Sequence, residues 1–184
     1  DSLYRKGMRD NLTAITKQVE RFTALLPDTS TVNLWNELTA HLHGPATNGL
    51  VAAGRDVAAR LDSGEGAGLA NGYHHLTHFK EVLYGAAVLS RVATAQGTPL
   101  SAREEAVLLF SALAHDYNHD GGKNGDVPLR LETASFNGVA GDLKRHGVDT
   151  QAIEMIDLMI ASTDVSKTPD YVNKLLNGST ATPP

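Results

Sequence analysis

SAREEAVLLFSALAHDYNHDGG, residues 101–122, is the stretch on which the reading of this chain turns. Ser101 with Glu104 three positions on is the start signal of a capped helix. Ala106, Val107, Leu108, Phe110, Leu113 and Ala114 follow and leave almost no polar face, so this helix is expected at the centre of the molecule. It then runs into His115-Asp116-Tyr117-Asn118-His119-Asp120. Ionic groups at the end of an apolar helix are costly unless a metal or a partner compensates them. Gly121, Gly122 and Gly125 break the chain just after the cluster.

Outward from this segment the chain reads as all-α. Helices are expected over residues 10–26, stopped by Pro27, over 32–42 and over 50–61. Another is expected over 73–95, stopped by Gln96-Gly97-Thr98-Pro99. Pro128 starts a helix running to about His146, before Gly147. Asp149 or Thr150 caps the next, with Ile153, Ile156, Leu158, Met159 and Ile160. Tyr171 to Leu176 is a last short helix, followed by a frayed tail. The expected fold is all-α with about seven or eight helices. The expected organisation is one domain over 1–176, with 1–72 as lead-in, 73–167 as core and 177–184 as a flexible tail. SGEGAGLANG, residues 63–72, follows no strand, so it reads as a plain connector rather than a phosphate loop.

Bulk properties exclude several classes of function. The 184 residues suit one domain large enough to bury a core. A formal net charge of -5 argues against general nucleic-acid binding, which needs a basic surface. No apolar run approaches the roughly 20 residues of a membrane span. With no cysteine, disulfides and thiolate metal sites are excluded, and any metal must be held by His, Asp or Glu. The opening DSLYRKGMRD carries neither initiator Met nor signal peptide and reads as trimmed or processed, with a cytoplasmic location expected.

Five of the eight histidines lie between His74 and His119. His74 and His78 are four apart and share a helix face, as His115 and His119 would one turn further on. Mixed imidazole and carboxylate ligands suit zinc, iron, manganese or magnesium. Asp116 can offer one oxygen to each of two ions, and a two-metal site can stabilise an in-line phosphoryl displacement. His41, His43 and His146 read as surface polar residues, and His75 points elsewhere on its helix.

Tyr73-His74-His75-Leu76-Thr77-His78-Phe79-Lys80-Glu81-Val82 resembles the Tyr-His-Asn-x-x-His-x-x-x-Val motif of class I cyclic-nucleotide phosphodiesterases. His115 to Asn124 is similar to their His-Asp-x-x-His-Pro-Gly-x-x-Asn motif. Leu131-Glu132 falls at their Leu-Glu, and Ile160 to Lys167 resembles their Ala-Thr-Asp-Met-Ser-Lys segment. The wider group is the HD superfamily of metal-dependent phosphohydrolases. The resemblance implies an HD/phosphodiesterase-like bundle hydrolysing a small-molecule phosphate ester, a 3',5'-cyclic nucleotide foremost. It implies two divalent ions, zinc with magnesium or manganese, iron being an alternative. His78, His115 and Asp116 would ligate the first ion and Asp116 would bridge to the second. His119, Glu132 and Thr163 would sit around the second ion's water. A metal-bridging hydroxide would attack phosphorus, with His74 as general acid, a task for which a pKa near working pH suits histidine. Asn124 would hydrogen-bond within the loop.

The chain departs from the family pattern in three places. The motif Asn is His75, the motif Pro is Asp120, and the family's last metal-binding Asp and its purine-gripping residues lie beyond the segment where this chain ends. Asp120 would add a carboxylate that could alter metal preference. Asp164 is expected to complete a compact site as metal ligand, the alternative being a carboxylate that braces a ligand or caps a helix. Asp157 is a lesser candidate for the same place. The rival explanation is that later helices are missing, and a weaker one aligns residues 163–170 with the family's later Asp segment. Competing functions are a non-catalytic metal- or nucleotide-binding regulatory module, an HD-type phosphomonoesterase, and a di-iron oxygenase.

Overall fold

The computed structural model describes residues 26–66 and 75–164, with Thr16, Lys17, Glu20 and Ala24 at isolated positions before them. Two compact units are present, Asp1–Ser30 and Thr31–Pro184. In the first, the described continuous element is a 3-10 turn over Leu26–Asp28. The second contains α1 (Thr31–Thr39), α2 (Pro45–Asp62), α3 (Leu76–Ala95), α4 (Ala102–Ala114), α5 (Arg130–Arg145) and α6 (Thr150–Ala161). The described residues are therefore all-helical, with six continuous α-helices and no strand.

That is fewer than the seven or eight expected. The helix expected over 171–176, and the tail after it, lie outside the described residues. So does most of the one expected over 10–26, although Thr16, Lys17, Glu20 and Ala24 within it have helical backbone. None of the described helices is long and apolar enough to cross a membrane.

The start signals act as their chemistry requires. The Ser101 hydroxyl accepts from the Glu104 backbone N–H at 3.3 Å, and Glu104 Oε2 accepts from the Ser101 N–H at 2.8 Å. Asp149 caps α6 by accepting from the Ala152 N–H at 3.0 Å. α2 begins five residues before the expected 50, because Pro45 at its first turn has no N–H to lose. The N-terminus of α1 is capped from a distance: Asp62, at the end of α2, accepts from the N–H groups of Thr31 at 2.8 Å and Val32 at 3.0 Å.

α4 is central, as its largely apolar surface requires. Val107, Leu109, Phe110 and Leu113 are buried, and the helix packs against α2, α3 and α6. Trp35 of α1 meets Phe110 edge-on at 6.5 Å, and its indole N–H reaches the Val51 carbonyl at 2.9 Å. Gly54 of α2 leaves room for that indole ring, since a Cβ there would lie inside it.

The α3–α4 hairpin positions the site. A short connection over residues 96–101 makes the two helices neighbours running in opposite directions. His78 lies 17 residues before Ala95, and His115 lies 13 residues after Ala102. At about 1.5 Å per residue both stand roughly 20–26 Å from the connection, at the same end of the hairpin.

Candidate metal centre

His78 is in the first turn of α3, where its N–H bonds the His75 carbonyl at 2.9 Å. His115 is the C-cap of α4, and Asp116 begins the turn after it. The start of one helix therefore faces the end of the other. His115 Nε2 lies 2.9 Å from Asp116 Oδ2, His78 Nε2 lies 3.2 Å from the same oxygen, and the two nitrogens are 3.3 Å apart. All three side chains are mostly buried, at 11–13 % exposure. Phe79, fully buried, packs against the His115 ring at 5.9 Å.

These distances fit a cation. A tetrahedral ion with bonds of about 2.0–2.1 Å spaces its donors roughly 3.3 Å apart, and an octahedral one with bonds of about 2.1 Å roughly 3.0 Å. The tautomer fits as well. His115 Nδ1 lies 2.9 Å from the Ala112 carbonyl, which can only accept, so Nδ1 carries the proton. In the neutral ring Nε2 then turns a lone pair toward the carboxylate and the second imidazole. A single proton can bridge one pair of these atoms; a metal ion can satisfy all three at once. Orientation of a ligating imidazole by a hydrogen bond on its far nitrogen is usual for metal sites. Among the described residues His78, His115 and Asp116 are the group whose ligand atoms all lie within 4.8 Å of one another.

The remaining candidates stand in other places. His74 lies outside the described residues, as do Val165, Ser166 and Lys167. His119 Nδ1 accepts the Gly121 N–H at 3.0 Å, so in the neutral ring its proton is on Nε2, which makes that atom a donor. Asp164 is buried, but it is not one of the three clustered ligands. Its Oδ2 accepts from Asn124 Nδ2 at 3.3 Å, and the same amide donates to Glu132 Oε2 at 3.0 Å. Asn124 Oδ1 accepts from the Leu131 N–H at 2.9 Å. Asn124 thus ties two buried carboxylates to the start of α5, where negative charge is favoured by the helix dipole. Thr163 turns back to the Ile160 carbonyl at 2.7 Å.

Asp120 has a partner of its own. Its oxygens meet Arg130 at 2.6 and 3.3 Å and the Gly122 N–H at 2.8 Å. The Arg130 hydrogen bond, aided by Gly122, holds its carboxyl down at about 2. Asp157 lines a cavity of about 350 Å³ with Glu132 and Glu154, and desolvation pushes its carboxyl up. His41 is exposed beside Glu105 at 3.0 Å, and His146 lies 2.7 Å from Asp56, so neither joins the centre. His43 and His75 are exposed.

Sequence reasoning missed the support behind the centre. Tyr117, fully buried, donates its hydroxyl to Glu65 Oε1 at 3.1 Å, and the Arg60 guanidinium lies over its ring at 4.8 Å. Burial, chiefly, pushes the phenol up to about 12. Arg60 also reaches Glu65 at 3.0 Å, the Gly138 carbonyl at 3.2 Å and the buried Asp142. Glu65 and Gly66, in the segment expected to be a plain connector, are thus fixed to the turn that follows Asp116. The connector carries no periodic signal that could have revealed this.

Compared with known protein families, curated proteins and solved structures, the chain shows no significant match. Fold and site together define an all-α bundle with a candidate His-His-Asp metal centre.

Proposed function

We propose that the chain is a metal-dependent phosphohydrolase on an HD-type helical bundle, most like a 3',5'-cyclic-nucleotide phosphodiesterase. The observation that carries this reading is the triangle of His78 Nε2, His115 Nε2 and Asp116 Oδ2, with sides of 2.9–3.3 Å. The four sequence motifs around it, in family order, supply the reaction class. Divalent ions held there, zinc with magnesium or manganese, would supply Lewis acidity and an ionised water for attack on phosphorus. Asp116 has a second oxygen for a second ion. Glu132 and Asp164 offer two further buried carboxylates, joined through Asn124. His119, a donor at Nε2, suits a phosphate oxygen or a water. His74 is the proposed general acid, protonating the leaving oxygen.

One observation favours a second reading. The described residues bring three ligands together, enough for one ion. A regulatory module that binds one metal, or a nucleotide, without turnover needs no more.

Metal analysis of the purified chain, with assays against cyclic and linear phosphodiesters, separates the two. The hydrolase reading expects bound divalent metal and turnover, with turnover lost in His74→Ala and metal lost in His115→Ala. Full metal occupancy with no turnover on any phosphoester would favour the module. A chain that binds no divalent metal would end both metal readings.

A further inference from the structure

The end of α2 is fastened to the turn that follows Asp116, behind the centre. The chain leaves α2 through residues 63–66 and returns as α3, which carries His78. α4 ends in His115 and Asp116, followed by Tyr117 and Asn118. Three contacts join these segments. The Tyr117 hydroxyl donates to Glu65 Oε1 at 3.1 Å, and the Asn118 N–H donates to the Gly66 carbonyl at 2.8 Å. The Arg60 guanidinium covers the Tyr117 ring while binding Glu65 at 3.0 Å.

The fit at Tyr117 leaves little slack. A Cβ on Gly66 would enter its ring, and one on Gly138 of α5 would lie 2.5 Å from its Cδ1. Asn118 takes the left-handed conformation, φ 63°, and its N–H donates to the Gly66 carbonyl. The residue directly after Asp116 is therefore held by α2, by the connector leading to α3 and by α5. Asp116 has little freedom of its own, because its backbone joins the His115 cap to this anchored ring.

We propose that Tyr117 and Glu65 are positioning residues for the metal centre: their hydrogen bond fixes the Asp116 carboxylate against the imidazoles of His78 and His115. This rests on the reading of that triad as a metal site. Neither residue touches the ion; each acts through the backbone of Asp116. Loss of partners that orient metal ligands typically weakens binding by about 10–100-fold.

The test uses the whole chain and zinc alone, titrated in competition with a chromophoric chelator, with the visible spectrum of the cobalt(II)-loaded protein as a second readout. Glu65→Ala is expected to weaken zinc binding by about tenfold and to shift the cobalt bands. Tyr117→Phe is expected to do the same. Glu65→Gln should restore both, because an amide oxygen accepts the same phenol O–H. Glu65 is 58 % exposed, so its variants keep the test intact if Tyr117→Phe does not fold. Unchanged zinc affinity and cobalt spectrum in Glu65→Ala overturn the proposal, even where the metal-free melting temperature falls, since that is all a structural bond would do. A wild-type chain that binds no zinc overturns the metal reading and this proposal with it. Zinc binding that is strong in the wild type and equal in the variants overturns this proposal alone.

Discussion

The Nε2 atoms of His78 and His115, 37 positions apart in the chain, approach to 3.3 Å where the start of α3 meets the end of α4. Two imidazoles and a carboxylate at such range, mostly out of water, need a proton or a cation shared among them. That requirement links the fold to the proposed chemistry.

Metal removal should therefore cost stability. A ligand present at 100 times its dissociation constant stabilises the folded state by about 2.7 kcal/mol. For a domain of this size, chelation should then lower the melting temperature by roughly 5–10 °C. Thermal unfolding with zinc and with excess EDTA measures the difference. In His115→Ala the two curves should coincide.

Glycines of one helix should respond in opposite directions to alanine. At Gly138 the new Cβ would lie 2.5 Å from Tyr117 Cδ1 and 2.7 Å from Asn118 Nδ2, so Gly138→Ala is expected to destabilise by about 1–3 kcal/mol. Gly141, three residues on, has nothing within 4 Å of an added Cβ. There alanine should stabilise by about 0.4–1 kcal/mol through helix propensity and a less flexible unfolded chain. Urea midpoints of the two variants check the pair.

The acid limb of stability should depend on Asp56. Its carboxyl is held below the ordinary range by the His146 hydrogen bond first and Arg145 second. A depressed folded-state pKa gives stability that is present above the unfolded value, near pH 4, and is lost as pH falls through the folded value. Asp56→Asn should thus cost stability at pH 7, within the roughly 0–1 kcal/mol of an exposed pair, and the cost should shrink toward pH 3. Denaturation at both pH values reads the change.

Tyr117 should shape the alkaline limb. Its phenol is pushed up to about 12, chiefly by burial. A folded-state pKa raised above the unfolded value near 10 gives stability that is complete below pH 10 and lost as pH rises toward 12. Absorbance at about 295 nm, which follows tyrosinate, should show Tyr117 ionising with unfolding rather than with exposed tyrosines. Tyr117→Phe should remove that late component.

Much of this was legible in the chain itself, for local reasons. The capping pair Ser101 and Glu104 and the Asp149 cap act within a single turn, so neighbours suffice to specify them. The apolar surface of α4 after its first turn announced a central helix, because little of it could face water. Helix ends were less legible. α4 stops at Ala114, where His115 gives its Nδ1 proton to the Ala112 carbonyl and Tyr117 turns away to Glu65. Asp120 illustrates the converse. Its place beside the site is plain from the sequence, but its commitment to Arg130, ten positions on, is a matter of how the loop folds back.

The order and type of residues by themselves determined that the described residues are helical, that a metal cannot rest on thiolate, and which His-Asp pair is the candidate ligand. Period and ligand chemistry are properties of short segments and survive without a fold. The motif resemblance put His78 with that pair, but only the tertiary structure set their distances, joined Asp164 and Glu132 through Asn124, and braced the turn with Glu65 through Tyr117. Those are distances between segments remote in sequence, set by how the helices pack, and no local pattern encodes them.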